Sequence, residues 1–495
     1  MTTAPIRLAV VATAELSTKT IVALRKRPDS GIAHIVHLGG KDADYKANNF
    51  FRMRAVQGKR GDLMQTDRFS GAARVLEWSP AMAEAQLEAI DTLTRGSDQM
   101  AYKHHRISNF HDYQHITHIA HDVYAAMLQE EGITHVLFFD IPHMFHDTCL
   151  KQAAQALGLE VLILRQSFFP RQFFSMRDSR DQGHMAPRPG DAEAAPAPLP
   201  EGDLFYMKGV RQERAARGGL SVRGIGQMLA HHAVNDPAKL LNPVYMARLL
   251  ARMRRVAGRF PDWRDPFFHF FHTDHLAYFD YLAEVEDREP DPDRPFVYFP
   301  LQFQPEMTTS SLGGRYRDQI LALERLAEML PEGHRIYVKE NPKQTGKMRS
   351  PLFFHRLDRI RQVELMPSYA SSPDLLARSV AVANVSGTVG WEALTAGKPV
   401  LCFGAAWWSG APGVTRYRPG LTFDEVLTNT PDRAALEGFV GRLQARSHAG
   451  NVQRHFARAD HDHPDDETAR LVAATVVDLL HGRTPLTFDA PGDAA

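Results

Sequence analysis

Short runs of apolar residues alternate along the chain with segments in which apolar residues recur at helical spacing, and this alternation occurs twice. The strand-like runs of the first half are 6–13, 32–38, 135–141 and 160–166, and those of the second half are 296–303, 335–341, 363–367, 380–386 and 399–404. Strands separated by helices build parallel sheets through strand–helix–strand units. We therefore predict an α/β fold with two Rossmann-like, doubly wound parallel-sheet domains that face each other across a cleft.

Two stretches of turn-forming residues divide this pattern. Residues 182–203 are rich in Pro, Ala and Gly and offer little apolar surface to bury, which predicts a disordered loop. Residues 288–295, REPDPDRP, predict a hinge. The predicted divisions are an N-terminal domain (1–181), the loop (182–203), a basic helical region completing the N-terminal lobe (204–287), the hinge, a C-terminal domain (296–482) and a tail (483–495). Helical patterns near 432–446 and 466–482 are expected to cap the second sheet.

The distribution of charge along the chain limits the kinds of binding partner that the sequence predicts. Lys plus Arg equals Asp plus Glu, at 58 each, in a chain of 495 residues, so the overall charge predicts no nucleic-acid partner. The stretch 208–259 nevertheless holds eleven basic residues against Glu213 and Asp236. This excess predicts a solvated helical face, with peripheral contact to an anionic membrane as the open alternative.

The compartment is predicted from the two cysteines and from the apolar runs. Cys149 and Cys402 lie far apart in apolar surroundings, which predicts buried thiols in a reducing cytoplasm. No apolar stretch reaches the roughly 20 residues that a membrane helix requires. We therefore expect a cytoplasmic protein, with the periphery of the inner membrane as the alternative place.

The passage 384–404, NVSGTVGWEALTAGKPVLCFG, predicts an anion site. A strand ends, Ser386, Gly387 and Thr388 turn the chain, and a helix begins at once. The N–H groups of a helix start can hold a phosphate, and a glycine allows it to approach the backbone. Glu392, one turn later, is placed to accept a hydroxyl of a ribose or sugar. The alternative is an ordinary helix cap.

Two further strand ends carry polar residues. In RIYVKENP, 335–342, Lys339 and Glu340 point to opposite faces, so that one of them can reach a bound anion. After the strand at 296–303, Pro305 takes the chain out of the sheet and leaves Glu306 at the same edge. Glu306 is predicted either to bind a sugar, act as a base or stabilise positive charge, or to cap the following turn.

Histidines occur at two places in the first half. His143 and His146 follow the strand at 135–141, where an imidazole could act as a general base for an acceptor hydroxyl. The histidines of a second group are spaced for one helix, and we interpret them as a solvated face rather than a metal site. They are His111, His115, His118 and His121.

Four passages, taken in order, resemble the bacterial capsule-polysaccharide biosynthesis proteins. Three of them are FVYFPLQFQPEMTTSSLGGRYRDQ, LPEGHRIYVKENP and VSGTVGWEALTAGKPVLCFG, and the fourth, DIPHMFHDTCLKQAAQALGLEVLIL, lies upstream. Those are glycosyltransferases of the GT-B fold and include β-Kdo transferases that use CMP-Kdo. The resemblance implies a nucleotide-sugar held mainly by the C-terminal domain and a glycan or glycolipid acceptor held mainly by the N-terminal one.

The resemblance also assigns residues. Gln304 and Glu306 match the family's QPE segment, and Ser386 to Glu392 match its turn and helix. Many relatives have Lys-Glu-His-Pro where this chain has Lys339, Glu340, Asn341 and Pro342, so Asn341 stands where a donor-contacting histidine is expected. The implied reaction needs no cofactor and no metal ion, only a nucleotide-sugar co-substrate for which CMP is one candidate. The alternatives are a nucleotide-sugar epimerase and a non-catalytic glycan- or lipid-binding relative.

Overall fold

The predicted strands assemble into two sheets in the computed structural model. The structure describes residues 5–39, 43–46, 76, 79–93, 110–200, 230, 233, 237–256, 290–291, 293–341, 344, 349, 351–367, 370–453 and 465–489. The strands are β1 Ile6–Ala12, β2 Ile32–Gly39, β3 Tyr45–Lys46, β4 His135–Phe138, β5 Glu160–Gln166, β6 Gln172–Met176, β7 Phe296–Pro300, β8 Arg335–Lys339, β9 Val363–Met366, β10 Ala381–Asn384, β11 Val400–Cys402, β12 Val414–Arg416 and β13 His448–Ala449.

Helices follow most of these strands, as the periodicity predicts. They are α1 Glu15–Arg25, α2 Pro80–Leu93, α3 Phe110–Glu130, α4 Phe145–Ala156, α5 Pro237–Leu240, α6 Pro243–Val256, α7 Gln319–Met329, α8 Pro351–Asp358, α9 Ser372–Arg378, α10 Val389–Thr395, α11 Phe423–Thr428, α12 Arg433–Ala445 and α13 Asp465–Leu480. Gly158 has a positive φ of 69° just beyond α4, as expected for a glycine that ends a helix.

The sheet of the N-terminal lobe has seven strands in the order β13-β6-β5-β4-β1-β2-β3. Its five strands from β5 to β3 are parallel, whereas β6 and β13 are antiparallel additions at one edge. The sheet of the C-terminal lobe has six parallel strands in the order β12-β11-β10-β7-β8-β9. This is the doubly wound Rossmann order, and it places the switch point between β7 and β10. The predicted fold class is confirmed.

The hydrophobic core covers both faces of each sheet. One cluster joins β1 to α1 and α13, and another joins β7 and β8 to α7 and α8. The largest cluster covers the α3–α4 face of the first sheet and continues into the second lobe. There Phe168 packs against Trp407 at 4.3 Å between ring centroids, and Trp407 packs against Trp391 at 4.7 Å, each pair with tilted rings. The two lobes are therefore in direct aromatic contact. Cys149 and Cys402 are buried free thiols within this cluster, as predicted.

The C-terminal segment does not cap the second sheet, so the prediction of a C-terminal domain ending at residue 482 is wrong. Strand β13 pairs with β6 of the first sheet, and α13 packs on α1. Val472 and Val476 of α13 are buried against the first sheet beside Leu8 and Val10. The apolar period of this helix fits either lobe, and only the path of the chain after α12 selects the first one.

Residues 182–200 are packed rather than disordered, which corrects the predicted loop. Arg446 donates to Asp191 at 2.5 Å and to the Ala186 carbonyl at 2.6 Å, and the Ala197 N–H donates to the Glu437 carbonyl at 3.1 Å. The predicted tail is held in the same way up to residue 489, where Phe488 is fully buried. Although these segments bury little apolar surface of their own, hydrogen bonds from other parts of the chain, such as Arg446, hold them in place.

The described part of the basic region lies against the second lobe, not the first. Tyr245 and Met246 of α6 pack on the β7–β8 cluster, so the expectation that this region completes the N-terminal lobe is wrong for α6. Leu241, Val244 and Leu250 remain exposed, and membrane contact stays a prediction. Of the helices in the described ranges, none combines the length and the apolar character needed to cross a membrane.

Candidate functional site

The three predicted strand ends of the C-terminal lobe meet at one edge of its sheet. They follow β7, β8 and β10, which are neighbours in the sheet. The Ser386 hydroxyl donates to the carbonyl of Thr308, and the side chain of Gln304 contacts Arg349, which in turn pairs with Glu340. The carboxyl ends of adjacent parallel strands share an edge, so this convergence follows from the strand order.

Glu306 caps a turn. It precedes a single π-helical turn, residues 307–311, and its Oε2 accepts from the Thr308 N–H at 2.9 Å and from the Thr308 hydroxyl at 2.5 Å. The side chain is half-buried. Of the two open interpretations, the turn cap is therefore present, while sugar binding or catalysis by the partly exposed carboxylate stays a prediction.

The backbone around Ser386 forms the predicted anion-binding geometry, but it already has an acceptor. With the Gln302 amide oriented so that its oxygen faces the turn, this oxygen accepts from the N–H groups of Val385 at 3.2 Å, Ser386 at 2.7 Å and Gly387 at 2.6 Å. The orientation is assigned because it satisfies three donors at once. A Cβ on Gly387 would come within 3.0 Å of the Gln302 amide. A side chain at residue 387 would therefore crowd the Gln302 amide.

Replacing Gln302 by methionine is expected to lower the free energy of unfolding by at least about 2 kcal/mol, because three N–H groups lose their acceptor and each unsatisfied buried donor costs about 1–3 kcal/mol. Chemical denaturation measures the change. Gln444→Met on the exposed face of α12 is the matched control. A loss for Gln302→Met no larger than that of the control would contradict the assigned role of the amide.

Gln304 is buried and hydrogen-bonded to other segments of the chain. It is 7% exposed, and its Nε2 donates to the Arg317 carbonyl at 2.8 Å. Its Oε1 accepts from Gln319 at 3.1 Å and from Arg349 at 3.3 Å. Its amide oxygen and nitrogen thus both bond the protein, and a contact with a nucleotide-sugar stays a prediction.

Lys339 and Asn341 differ in exposure although only one residue separates them. Lys339 is 8% exposed, and its Nζ donates to the Ser372 hydroxyl at 2.8 Å, which directs the ammonium toward α9. Asn341 is half-buried, and its N–H donates to the Glu340 carboxylate at 2.8 Å. Asn341 is therefore the better placed of the two predicted phosphate contacts.

Ser386, Thr388 and Glu392 lie at or just before the start of α10, and Ser386 is the most buried of the three. Ser386 is 7% exposed, whereas Gly387, Thr388 and Glu392 are half-buried. The Thr388 side chain makes no capping hydrogen bond to the helix. Thr388 and Glu392 are thus partly exposed near the carboxyl end of β10, which β7 separates from β8 and Asn341, whereas Ser386 faces inward to the 307–311 turn.

The two candidate histidines of the N-terminal lobe have different environments. His146 is 9% exposed inside α4, and burial, with a further contribution from His143, lowers its pKa to about 4. His146 is thus less accessible to an acceptor than the half-buried His143, and a catalytic role for His146 stays a prediction. His143 is half-buried on the loop before α4, and its Nδ1 bonds the Ile141 carbonyl at 2.6 Å, which makes Nε2 the lone-pair nitrogen of the neutral ring.

His143 lies where the lobes touch. The Ser311 hydroxyl donates to the carbonyl of the preceding Pro142 at 2.8 Å, and Arg165 Nη1 lies 2.8 Å from the sulfur of Met307. The 307–311 turn thus contacts the N-terminal lobe on one side and Ser386 on the other. His143, Glu306 and the Ser386–Thr388 turn are brought to one region between the lobes.

Sequence reasoning missed three residues of this region. Gln302 carried a signal, since it lies two residues before Gln304 in an extended segment and so shares its face. Arg349, which is fully buried against Glu340, and Asp91 carried none. Asp91 of α2 reaches across to the C-terminal lobe, where burial raises the pKa of its carboxyl and the Ser310 hydroxyl and Arg317 charge oppose that rise.

The histidines of α3 form no metal cluster, and among the residues that the structure describes no three His, Cys, Asp or Glu side chains are grouped as ligands. His111 and His115 are exposed as predicted. His121 is not: it is buried, its Nε2 contacts Gln152 Oε1 at 2.8 Å, and burial lowers its pKa to about 4. The predicted solvated face is therefore wrong for His121.

Comparison with solved structures gives weak overall similarity. A beta Kdo 2,7 transferase, KpsC of Thermosulfurimonas dismutans, has 14% identity and a TM-score of 0.29 over 74% of this chain and 91% of that one. The beta Kdo 2,4 transferase KpsC of the same organism has 16% identity and a TM-score of 0.27 over 63% and 80%. A UDP-GlcNAc 2-epimerase of Methanocaldococcus jannaschii has 10% identity and a TM-score of 0.23 over 89% and 99%.

Comparison with protein families gives a specific match. No curated protein matches the chain. The family model described as "Capsule polysaccharide biosynthesis protein" matches residues 280–446, which include the strand ends after β7, β8 and β10. The sequence pattern of this segment, rather than an overall superposition, carries the similarity. Residues 280–446 of the chain are therefore similar to the capsule polysaccharide biosynthesis protein family.

Proposed function

We propose that the protein is a glycosyltransferase that moves a sugar from a nucleotide-sugar to a surface or capsular polysaccharide, or to its lipid-linked acceptor. The observation that carries this proposal is the family match over the segment whose strand ends converge at one edge of the C-terminal sheet. Ligands of doubly wound sheets bind at this edge, next to the switch point. The cytoplasm is the proposed site of the reaction.

The donor is proposed to lie against the C-terminal lobe. Since Gln302 already satisfies the N–H groups of residues 385–387, the phosphates would contact the Thr388 hydroxyl and the Asn341 amide instead. Glu392 would accept from a hydroxyl of the ribose or sugar. The half-buried Glu306 carboxylate is placed on the turn facing the other lobe, where it can stabilise positive charge on the sugar as the bond to phosphate breaks.

His143 is proposed as the general base. Its Nε2 would take the proton of the acceptor hydroxyl while that oxygen attacks the anomeric carbon of the donor sugar. The bond between this carbon and the phosphate oxygen breaks, and the nucleotide leaves with the electron pair. This step requires no metal ion, and metal independence is part of the proposal.

A binding screen and two variants test the function. We expect one of the CMP-, UDP-, GDP- or CDP-linked sugars to stabilise the full chain, by about 2.7 kcal/mol at a hundredfold excess over Kd. Thr388→Val should weaken this stabilisation, whereas Thr395→Val in the same helix should not. His143→Gln should keep donor binding and lose about 10²–10⁴-fold in transfer rate.

Three outcomes would overturn the proposal. They are the failure of every nucleotide-sugar to stabilise the protein, full transfer activity in His143→Gln, and conversion of the sugar with donor alone. The last result would identify an epimerase instead. A protein that binds saccharide but neither converts nor transfers a donor sugar would be a non-catalytic relative.

A further inference from the structure

A cavity of about 660 Å³ lies beside the candidate site, between the two lobes. Its walls come from the first half of α2, the second half of α4 and residues 178–180 of the N-terminal lobe. Ser311, Gly314 and Arg317 of the C-terminal lobe complete it. The volume falls in the range of about 300–1,000 Å³ that is typical of small-molecule sites. The mechanism proposed above does not use this cavity.

The cavity wall carries six charged side chains but has no net charge. Three acidic side chains (Glu84, Glu88 and Asp178) face three basic ones (Lys151, Arg180 and Arg317). A polyanion such as a nucleotide diphosphate needs an excess of cations, which this wall does not provide. Alternating donors and acceptors of balanced charge instead suit a ligand that carries many hydroxyl groups.

Two cationic groups of the wall are only loosely paired. Lys151 Nζ lies 3.5 Å from the Glu88 carboxylate, at the outer limit of a hydrogen bond, whereas Gln152 Nε2 donates to the Ala85 carbonyl at 2.8 Å. Burial lowers the pKa of Lys151, but the negative charges of Glu88 and Asp178 together outweigh this effect and the pKa is raised, so Lys151 is protonated. In addition, Arg317 Nη1 is buried without a hydrogen-bond partner among the described residues. The Lys151 ammonium and Arg317 Nη1 can therefore donate to ligand hydroxyls without losing a strong internal bond.

The 307–311 turn separates the cavity from the proposed donor position. Ser311, at the end of this turn, lines the cavity, and the carbonyl of Thr308, near its start, accepts from the Ser386 hydroxyl. A ligand in the cavity is therefore one turn of backbone away from the Ser386–Thr388 segment. A chain that extends from the cavity past the turn would reach His143, since Ser311 also bonds the adjacent Pro142.

We propose that this cavity binds sugar units of the acceptor, as an uncharged, hydroxyl-rich saccharide held between α2, α4 and the 311–317 segment. The inference rests on the proposed glycosyl transfer and names where the acceptor chain is held. The sugar that receives the new unit would lie past the turn, and the preceding units would occupy the cavity.

Two tryptophan substitutions on one helix test the proposal. Ala81 and Ala83 are both exposed on α2, but only Ala81 lines the cavity. Ala81→Trp should fill the cavity, and Ala83→Trp is its matched control. Ala156→Trp on the opposite wall provides a second filling variant if Ala81→Trp does not fold. Saturation-transfer NMR with maltotetraose, cellotetraose and triacetylchitotriose measures saccharide binding to the full chain, and thermal shift with the nucleotide-sugars measures donor binding.

We expect at least one saccharide to bind the wild type and Ala83→Trp, with at least tenfold weaker binding to the filling variant and an unchanged donor shift. Equal saccharide binding by the filling variant, or no binding of any of the three saccharides to the wild type, would overturn the cavity proposal. Displacement of a nucleotide from the cavity by the tryptophan would also overturn it. If no nucleotide-sugar binds the wild type, this result counts against the transferase proposal alone, because saccharide binding is measured separately from donor binding.

Discussion

Arg349→Met is expected to lower the free energy of unfolding by about 3–5 kcal/mol, the cost of leaving one partner of a buried ion pair without the other. Arg349 is fully buried, and its Nε donates to Glu340 Oε2 at 2.8 Å. Its other nitrogens lie 3.3 Å from Gln304 Oε1 and from the Gln302 carbonyl. The substitution thus leaves the Glu340 carboxylate buried without its cation. Denaturant titration of the purified variant measures the loss.

An exposed pair offers the matched control for this measurement. Arg356 bonds Asp318 at 2.7 Å and Glu324 at 3.0 Å, with 44% of its side chain exposed. Solvent screens such pairs, so Arg356→Met should cost less than about 1 kcal/mol. Similar losses of unfolding free energy in the two variants would contradict this prediction. They would show that the Glu340–Arg349 pair contributes no more than a surface pair.

Acidification is expected to destabilise the protein between pH 6.5 and pH 4, through three buried histidines. Burial lowers the pKa of His121, His146 and His448 to about 4, compared with 6.5 for the exposed imidazole. As the pH falls, the unfolded chain therefore takes up protons first. The stability that these groups contribute is complete above pH 6.5 and is lost progressively toward pH 4. For each histidine the loss is on the order of a few kcal/mol.

His448, in strand β13, allows the clearest test of this pH dependence. His448 Nε2 contacts the Ser175 hydroxyl at 2.7 Å, and Arg188 is the charge that adds to the lowering of its pKa. Denaturation midpoints at pH 7, 6, 5 and 4 should fall less steeply in His448→Gln than in the wild type. The exposed His355→Gln should follow the wild-type curve. Parallel curves for all three proteins would show that His448 is not kept neutral by the fold.

The candidate site was predictable to the extent that it depends on strand ends. The positions of Glu306, Lys339 and Ser386 follow from the order of apolar runs, because parallel strands end at a common edge. Their exposure did not follow from that order. Gln304 and Lys339 are buried by partners from other segments, Gln319, Arg349 and Ser372, and a local pattern contains no information about such partners.

By itself, the sequence determined the elements that depend on local periodicity: the βαβ alternation, most strand and helix positions, the turn at Gly387 and the family pattern over residues 280–446. Only the tertiary structure decided where the chain goes after α12, since an apolar helix face fits more than one sheet. The tertiary contacts place α13 on the first lobe and order residues 182–200. They also supply the Gln302 amide oxygen as the acceptor for the N–H groups of the Ser386 turn. These contacts join residues far apart in sequence, so their free energies appear only once the whole chain has folded.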